Sequence, residues 1–383
     1  MKKIAIIGGG PAGIIAAIRL KKTLMNSVEV SIYEKMDRVG KKLLATGNGK
    51  CNLSNIYLDS SLYNNELGKK ISSQYSPNDI IRELREIGLI THHDTAGRIY
   101  PITDSSNTVL DILLLNLKKY HIHVYTNHPV KKIIRKKDKY QITTDQEICD
   151  FDIIVVATGG GASPVLGSNQ EGYHLLQPLG IQITDIHPGL VGFKTMPSDV
   201  RGLNGLRQKC VLSIFHHEDI IFREQGEVQF KEDGISGIVV MNASRKLLRK
   251  TNEYTIELDL LPELLEKDIK EFLCHFDLIC ILPKMIAQKV KNSSTTIEEM
   301  VHLIKHYPIH VIANYGLERA QVTLGGVDSK EVDENLECKK MPNLYIIGEL
   351  LDVDGPCGGY NLHFAIASAI SSSNRIIEKE RLC

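Results

Sequence analysis

Glycines at positions 8, 10 and 13 follow an apolar run, Lys3 to Ile7, and lead into a helical pattern that begins at Pro11. A second apolar run, Val28 to Tyr33, ends at Glu34, 21 residues after Gly13, with Lys35 next. In this order the residues suit a pyrophosphate. Gly8 permits a tight turn, Gly10 lets backbone approach phosphate, and Gly13, after Pro11 and Ala12, allows the helix to pack on the strand, while the first helical amides stabilise the phosphate charge. Glu34 can accept hydrogen bonds from ribose hydroxyls, and its charge opposes a 2′-phosphate, so NADP is disfavoured at this position. The glycine spacing alone is weak evidence; strand, turn, helix, second strand and acid together make a dinucleotide fingerprint.

Two more glycine turns close apolar runs. Phe151 to Ala157 reads as one buried parallel strand opening onto Thr158-Gly159-Gly160-Gly161, and Asn343 to Ile347 ends in Gly348-Glu349. Three such turns at the carboxyl edge of one parallel sheet would touch a long ligand at many points, which fits FAD better than NAD. Further on, Asp354 can reach ribitol or phosphate-side hydroxyls, and Gly358 and Gly359 let backbone lie against a flat ring. The helix that starts near Tyr360 and Asn361 would aim its amides at the flavin N1/C2=O edge, and such an end carries about half a positive charge. No histidine, cysteine or tyrosine attachment is signalled, so the FAD is expected to be non-covalent.

The elements that position these turns follow from periodicity. Helical patterns at Pro77 to Ile87 and Ser106 to Lys119 precede strands at Ile122 to Thr126, Val130 to Arg135 and Tyr140 to Thr144, the last two joined at Lys137-Asp138-Lys139. From Ile183 the texture shifts to short alternating runs, and Leu261 to His306 is mostly helical, broken by Pro262, Pro283 and Asn292-Ser293-Ser294. The expected fold is α/β: a doubly wound, Rossmann-like FAD/NAD(P)-binding domain over 1–182 and 322–383, an inserted antiparallel β-barrel-like module over 183–260 and 307–321, and a small helical insert over 261–306.

Composition narrows the function classes. The 383 residues exceed one small module, and 46 Lys and Arg against 46 Asp and Glu give no net charge, so bulk electrostatics favour neither nucleic acid nor membrane surface. The basic run Lys131, Lys132, Arg135, Lys136 and Lys137 reads as a solvated hairpin edge. Eight cysteines are scattered without a C-x-x-C, which argues against a zinc site, a disulfide framework or a redox-active pair; no metal is expected. The N-terminal apolar run is too short for a signal segment and no run could span a bilayer, so a reduced, cytoplasmic protein is expected. No serine sits in a nucleophile elbow.

Assembled, these residues resemble the BaiN/aminoacetone-oxidase-like family of bacterial FAD-binding flavoproteins nearly end to end. The resemblance rests on Gly8 to Gly13; on Gly40-Lys41-Lys42-Leu43-Leu44-Ala45-Thr46-Gly47-Asn48-Gly49-Lys50-Cys51-Asn52; on Gly97-Arg98-Ile99-Tyr100-Pro101; on Gly226-Glu227 with Gly234-Ile235-Ser236-Gly237; on Thr323-Leu324-Gly325-Gly326-Val327; and on Gly348 to Asn361. It implies further cofactor contacts at Lys42, Gly49, Cys51, Asn52 and the backbone of Val130. The chain departs from the family at Asn48, usually glycine, and at Lys50, usually arginine, whose planar fork a lysine lacks.

One fingerprint leaves no second Rossmann domain for a nicotinamide nucleotide, so a disulfide reductase is disfavoured. Either NAD(P)H docks transiently, or the substrate reduces the flavin and oxygen reoxidises it. The resemblance implies NAD(P)H-linked reduction of a conjugated C=C bond in a small molecule or a base; the alternative is an oxygen-dependent oxidase of a small amine or amino-ketone. A flavin-bearing RNA-binding or assembly protein is a third reading, without support from net charge. Candidate catalytic side chains are Lys50 and Cys51 beside the expected flavin contact, and Tyr360 at the last helix; His363 reads as structural. Oligomeric state is not legible.

Overall fold

The computed structural model describes residues 1–247 and 254–382, so Cys383 lies outside the described residues. The chain forms two compact units, Met1–His187 with the segment from Val322 onward, and Pro188–Gln321.

The first unit is built on a five-stranded sheet. Its strands are β1 (Lys2–Ile7), β2 (Val28–Tyr33), β3 (His123–Tyr125), β4 (Ile153–Val156) and β5 (Leu344–Ile346), in the order β5-β4-β1-β2-β3. All pairings are parallel, with Ile7 opposite both Val156 and Tyr33, Val156 opposite Ile346, and Tyr33 opposite Tyr125. The carboxyl ends of all five strands are therefore flush, and the chain leaves each one along the same edge. The central strands are buried on both faces, hence their nearly unbroken Ile, Val and Ala sequence.

Helix α1 (Pro11–Leu24) packs against helix α2 (Tyr360–Leu382). Ala365, Ala367, Ala369, Ser372 and Ser373 are buried on α2, small residues that let it approach its neighbours closely. The Ser372 and Ser373 hydroxyls donate back to the Ala369 carbonyl at 3.2 and 2.6 Å, which satisfies these two buried donors within the helix.

The run from Phe151 to Ala157, expected to be one strand, is two. Ile148–Phe151 closes an antiparallel meander with Lys132–Lys136 and Lys139–Thr143, Phe151 pairing with Tyr140, and β4 then starts beside Ile4. Asp152 makes the break: its amide donates to the Lys3 carbonyl at 2.9 Å and its Oδ2 accepts from the Lys3 amide at 2.8 Å. A continuous apolar pattern carries no signal for a change of strand partner.

The second unit is a seven-stranded antiparallel sheet in the order Tyr307–Ile309, Tyr254–Asp259, Arg207–His216, Asp219–Lys231, Gly234–Ser236, Phe193–Thr195, Val311–Asn314. Its two edge strands are consecutive in the chain and separated only by His310, so the sheet must curl until its edges nearly meet. Helices Glu266–Leu273, Lys284–Asn292 and Ile297–Lys305 do not form a core of their own: Ile269, Ile286, Val290 and Ile304 share one cluster with Leu212, Ile214 and Leu258 of the sheet.

Candidate functional site

The turn after β1 separates glycines that the fold needs from one that it does not. At Gly8, φ is +107° and a Cβ would lie 2.4 Å from the Ala157 carbonyl oxygen; at Gly13 it would lie 2.2 Å from the Gly8 oxygen. Gly10 is extended, with φ −79° and ψ 176°, and a Cβ there would meet only the Ala157 oxygen, at 4.0 Å. The protein's own packing gives no reason for glycine at 10, whereas a ligand lying against the backbone does. Pro11 opens α1, Ala12 is buried behind it, no side chain caps the helix, and its first turn has no acidic residue, so its leading amides face no competing anion. Gly159, at φ +74°, has nothing within 4 Å of its Cβ position. These features fit the pyrophosphate of a dinucleotide.

Glu34 leaves β2 beside this turn. Its Oε2 accepts from the Gly9 amide at 2.7 Å and its Oε1 from the Met36 amide at 2.8 Å. A carboxylate has about four acceptor positions, so this fixes the group and leaves lone pairs for two ribose hydroxyls. The Glu34 carbonyl accepts from His128 at 2.9 Å, which brings the loop carrying Val130 to the end of β2. Lys35 Nζ reaches Asn169 and Glu171, the latter at 3.0 Å.

A polar chain joins the loop after β2 to the turns after β4 and β5. Lys42 Nζ is 2.6 Å from Glu349 Oε2; Glu349 Oε1 accepts from the Thr323 amide at 3.0 Å; and Thr323 Oγ1 accepts from the amides of Gly161 and Ala162 at 2.8 and 3.0 Å. Thr323 received no site role in the sequence, where its signal was only its place before a glycine pair. Thr158 Oγ1 is buried and has no partner.

At the other end, Gly348 donates to Ser368 Oγ at 3.0 Å. Buried Asp354 is held through its backbone by Asn64, which accepts from its amide at 2.9 Å and donates to its carbonyl at 3.1 Å. The Asn361 carboxamide accepts from and donates to the backbone of Gly355, both at 3.0 Å, closing the loop at the start of α2. Gly358 and Gly359 have φ of +113° and +102°, and a Cβ on Gly359 would lie 2.4 Å from the Ser54 carbonyl oxygen. Asn55 Nδ2 donates to the Gly358 carbonyl at 3.2 Å, and the Asn52 carboxamide, oriented to satisfy both neighbours, accepts from the Gly359 amide at 3.1 Å and donates to the Ser54 carbonyl at 2.9 Å. Asn52 is thus placed as a support for the glycine turn.

The candidate catalytic side chains have different surroundings. Lys50 is more than half exposed and 3.4 Å from Asp104 Oδ2. Tyr360 is buried, and its hydroxyl accepts from the Asp59 amide at 3.1 Å. Cys51 is fully buried, and burial pushes its thiol up to about 12 against the smaller opposing pull of Thr46, which favours the neutral thiol over the nucleophilic thiolate. The departure at Asn48 has a simple account, since Gly47 and Asn48 are both left-handed, at φ +56° and +53°, and asparagine tolerates that conformation better than most residues. Gly49, at φ +83°, has open space at its Cβ position.

With the geometry in place, the HI0933-like protein Rossmann domain model matches residues 2–375. The chain belongs to this family. Its class of chemistry is that of an FAD-dependent oxidoreductase. Among relatives of the HI0933-like chain is the 3-dehydro-bile acid delta(4,6)-reductase of Clostridium scindens, 31% identical over 99% of this chain and 100% of the relative. The ribosomal RNA dihydrouridine synthase of Escherichia coli is 25% identical, over 97% of each chain. The solved 3-ketosteroid delta1-dehydrogenase of Sterolibacterium denitrificans shares the fold at a TM-score of 0.54 and 11% identity, covering 99% of this chain and 100% of that one. Among the described residues, no helix is long and apolar enough to cross a membrane and no group of three or more His, Cys, Asp or Glu is arranged to hold a metal ion.

Proposed function

We propose that this chain reduces a carbon–carbon double bond conjugated to a carbonyl, in a small molecule or a base, with NADH or NADPH as electron donor. The observation that carries the reading is the 31% identity to a delta(4,6)-reductase across 99% of this chain and 100% of that relative. A 3-oxo steroid with Δ4 and Δ6 bonds and the uracil ring share one reacting unit, a C=C next to a C=O.

Bound FAD supplies the two-electron carriage. The turn from Gly8 to Gly13, with Pro11 and Ala12, would hold its pyrophosphate; Glu34, Lys35 and the backbone of Val130 would border the adenosine. Thr158, Gly159, Lys42, Gly348, Glu349 and Asp354 would line the middle of the cofactor, and Gly49, Asn52, Gly358, Gly359, Tyr360 and Asn361 its ring end. The amides at the start of α2 would stabilise negative charge at that end. The net reaction consumes one nicotinamide hydride and one proton per double bond, leaving NAD(P)+ and a saturated CH–CH.

Anaerobic photometry tests this reading. The flavin bands of the purified protein should bleach on addition of NADH or NADPH and return when a 3-oxo-Δ4,6 steroid or a uracil-containing RNA is added, the returning substrate naming the class. Bands that bleach only with an amine or amino-ketone, and return with oxygen, would replace the proposal with an oxidase.

A further inference from the structure

Ser54 and His363 form a buried pair outside the residues assigned to the cofactor. Ser54 Oγ lies 2.8 Å from His363 Nδ1, and both residues are fully buried. The second ring nitrogen, Nε2, is buried with no hydrogen-bond partner among the described residues, and the backbone carbonyls of Ser72 and Tyr75 lie near enough to the ring to favour a proton on it. Those carbonyls end the helix Glu66–Gln74, where the last C=O groups have no donor within the helix.

This environment selects one tautomer. A proton on Nδ1 would leave the Nε2 lone pair facing carbonyl oxygens in a water-free interior, an uncompensated repulsion. A proton on Nε2 turns an N–H toward those oxygens and lets the Ser54 hydroxyl donate to Nδ1. His363 then ties together three elements: the strand at Ser54, the end of the helix Glu66–Gln74, and the first turn of α2, where its own amide donates to the Gly359 carbonyl at 3.0 Å.

The strand at Ser54 is also the one on which the glycine turn rests, through the Ser54 carbonyl below Gly359 and the Asn52 and Asn55 carboxamides beside it. We infer that His363, as the neutral Nε2–H tautomer bonded to Ser54, is a positioning residue that holds the Gly358–Gly359 turn in register with the strand Ser54–Asn55 and the Asn52 just before it, and so sets how tightly the chain binds FAD. The inference rests on the flavin lying against that turn.

The test combines FAD titration of the full chain, after removal and re-addition of the cofactor, with nitrogen-15 NMR of selectively labelled histidine. His363→Leu, which keeps bulk and loses the bond to Ser54 and the Nε2–H, should weaken FAD binding at least tenfold, and Ser54→Ala several-fold. His363→Gln, whose amide can still accept from Ser54 and donate to the carbonyls, should return affinity to within about threefold of the parent. The parent should show a buried histidine with the Nε2–H signature, a measurement that stands even if His363→Leu does not fold. Unchanged affinity in His363→Leu and Ser54→Ala, failure of His363→Gln to restore binding, or an Nδ1–H signature would each overturn the proposal. A parent chain that binds no FAD would instead bring down the flavin reading and, with it, the consequence drawn for His363.

Discussion

Lys42 and Glu349 lie 307 positions apart in the chain and 2.6 Å apart in space, with both side chains largely shielded from solvent. Through Thr323 this pair links the loop after β2, the turn after β4 and the turn after β5. An ion pair still partly exposed contributes about 1 kcal/mol at most to folding, so its main effect should be on the shape of the ligand edge.

Glu349→Gln and Lys42→Met should each raise the FAD dissociation constant about tenfold, equivalent to about 1.4 kcal/mol. Since both substitutions release the same network, the double variant should bind FAD no worse than the weaker single one. Titration of the three variants checks this, and losses that simply add would show that the two residues act separately.

The glycines at 10 and 13 should respond in opposite ways. Gly10→Ala places its methyl in open space at a φ that alanine adopts freely, so the cofactor-free protein should gain about 0.5 kcal/mol while FAD binding falls at least tenfold. Gly13→Ala forces a carbon to 2.2 Å from the Gly8 carbonyl oxygen and should cost about 3 kcal/mol or more of stability. Denaturant unfolding without FAD, beside FAD titration, separates the two; a Gly10→Ala chain that binds FAD normally would remove the case for a ligand at that turn.

The sequence made the sheet edge legible because backbone requirements leave residue-type signatures: Gly8 and Gly13 cannot carry a side chain there, and Glu34 had to follow an apolar strand. It was less informative where contacts join residues far apart in the chain. Thr323 looks like any strand threonine until Gly161 and Ala162 are seen to donate to it. The division at Asp152 was hidden for a related reason, since Phe151 and Ile153 are both buried but in different sheets. Cys51 drew notice for its place beside the expected flavin contact; its complete burial is a property of the three-dimensional packing that the glycine-rich run does not signal.

Cys51 should therefore resist alkylation by iodoacetamide at neutral pH, whereas exposed Cys274 and Cys280 react. Cys51→Ala should leave turnover within about twofold and cost about 1 kcal/mol through the small cavity it opens. Peptide mapping after labelling, with assay of the variant, decides between packing and catalysis: loss of turnover in a folded Cys51→Ala chain would restore the catalytic role.

His363 gives a pH dependence with a defined sign. Burial lowers its pKa to about 4, against the smaller opposing effect of the Tyr75 and Ser72 carbonyls. Between pH 6.5 and 4 the unfolded chain protonates this histidine while the folded chain does not, so its stabilising effect is complete above pH 6.5 and is lost as pH falls through that window. The gap corresponds to about 3 kcal/mol at full extent. Carboxylates contribute to any acid unfolding, so the informative quantity is the difference between the parent and His363→Gln, which has nothing to titrate at this site. Denaturant unfolding at pH 7.5, 6 and 5 should show the parent losing stability faster than the variant as the pH drops; parallel losses would mean that the imidazole is solvated and titrates as freely as in the unfolded chain.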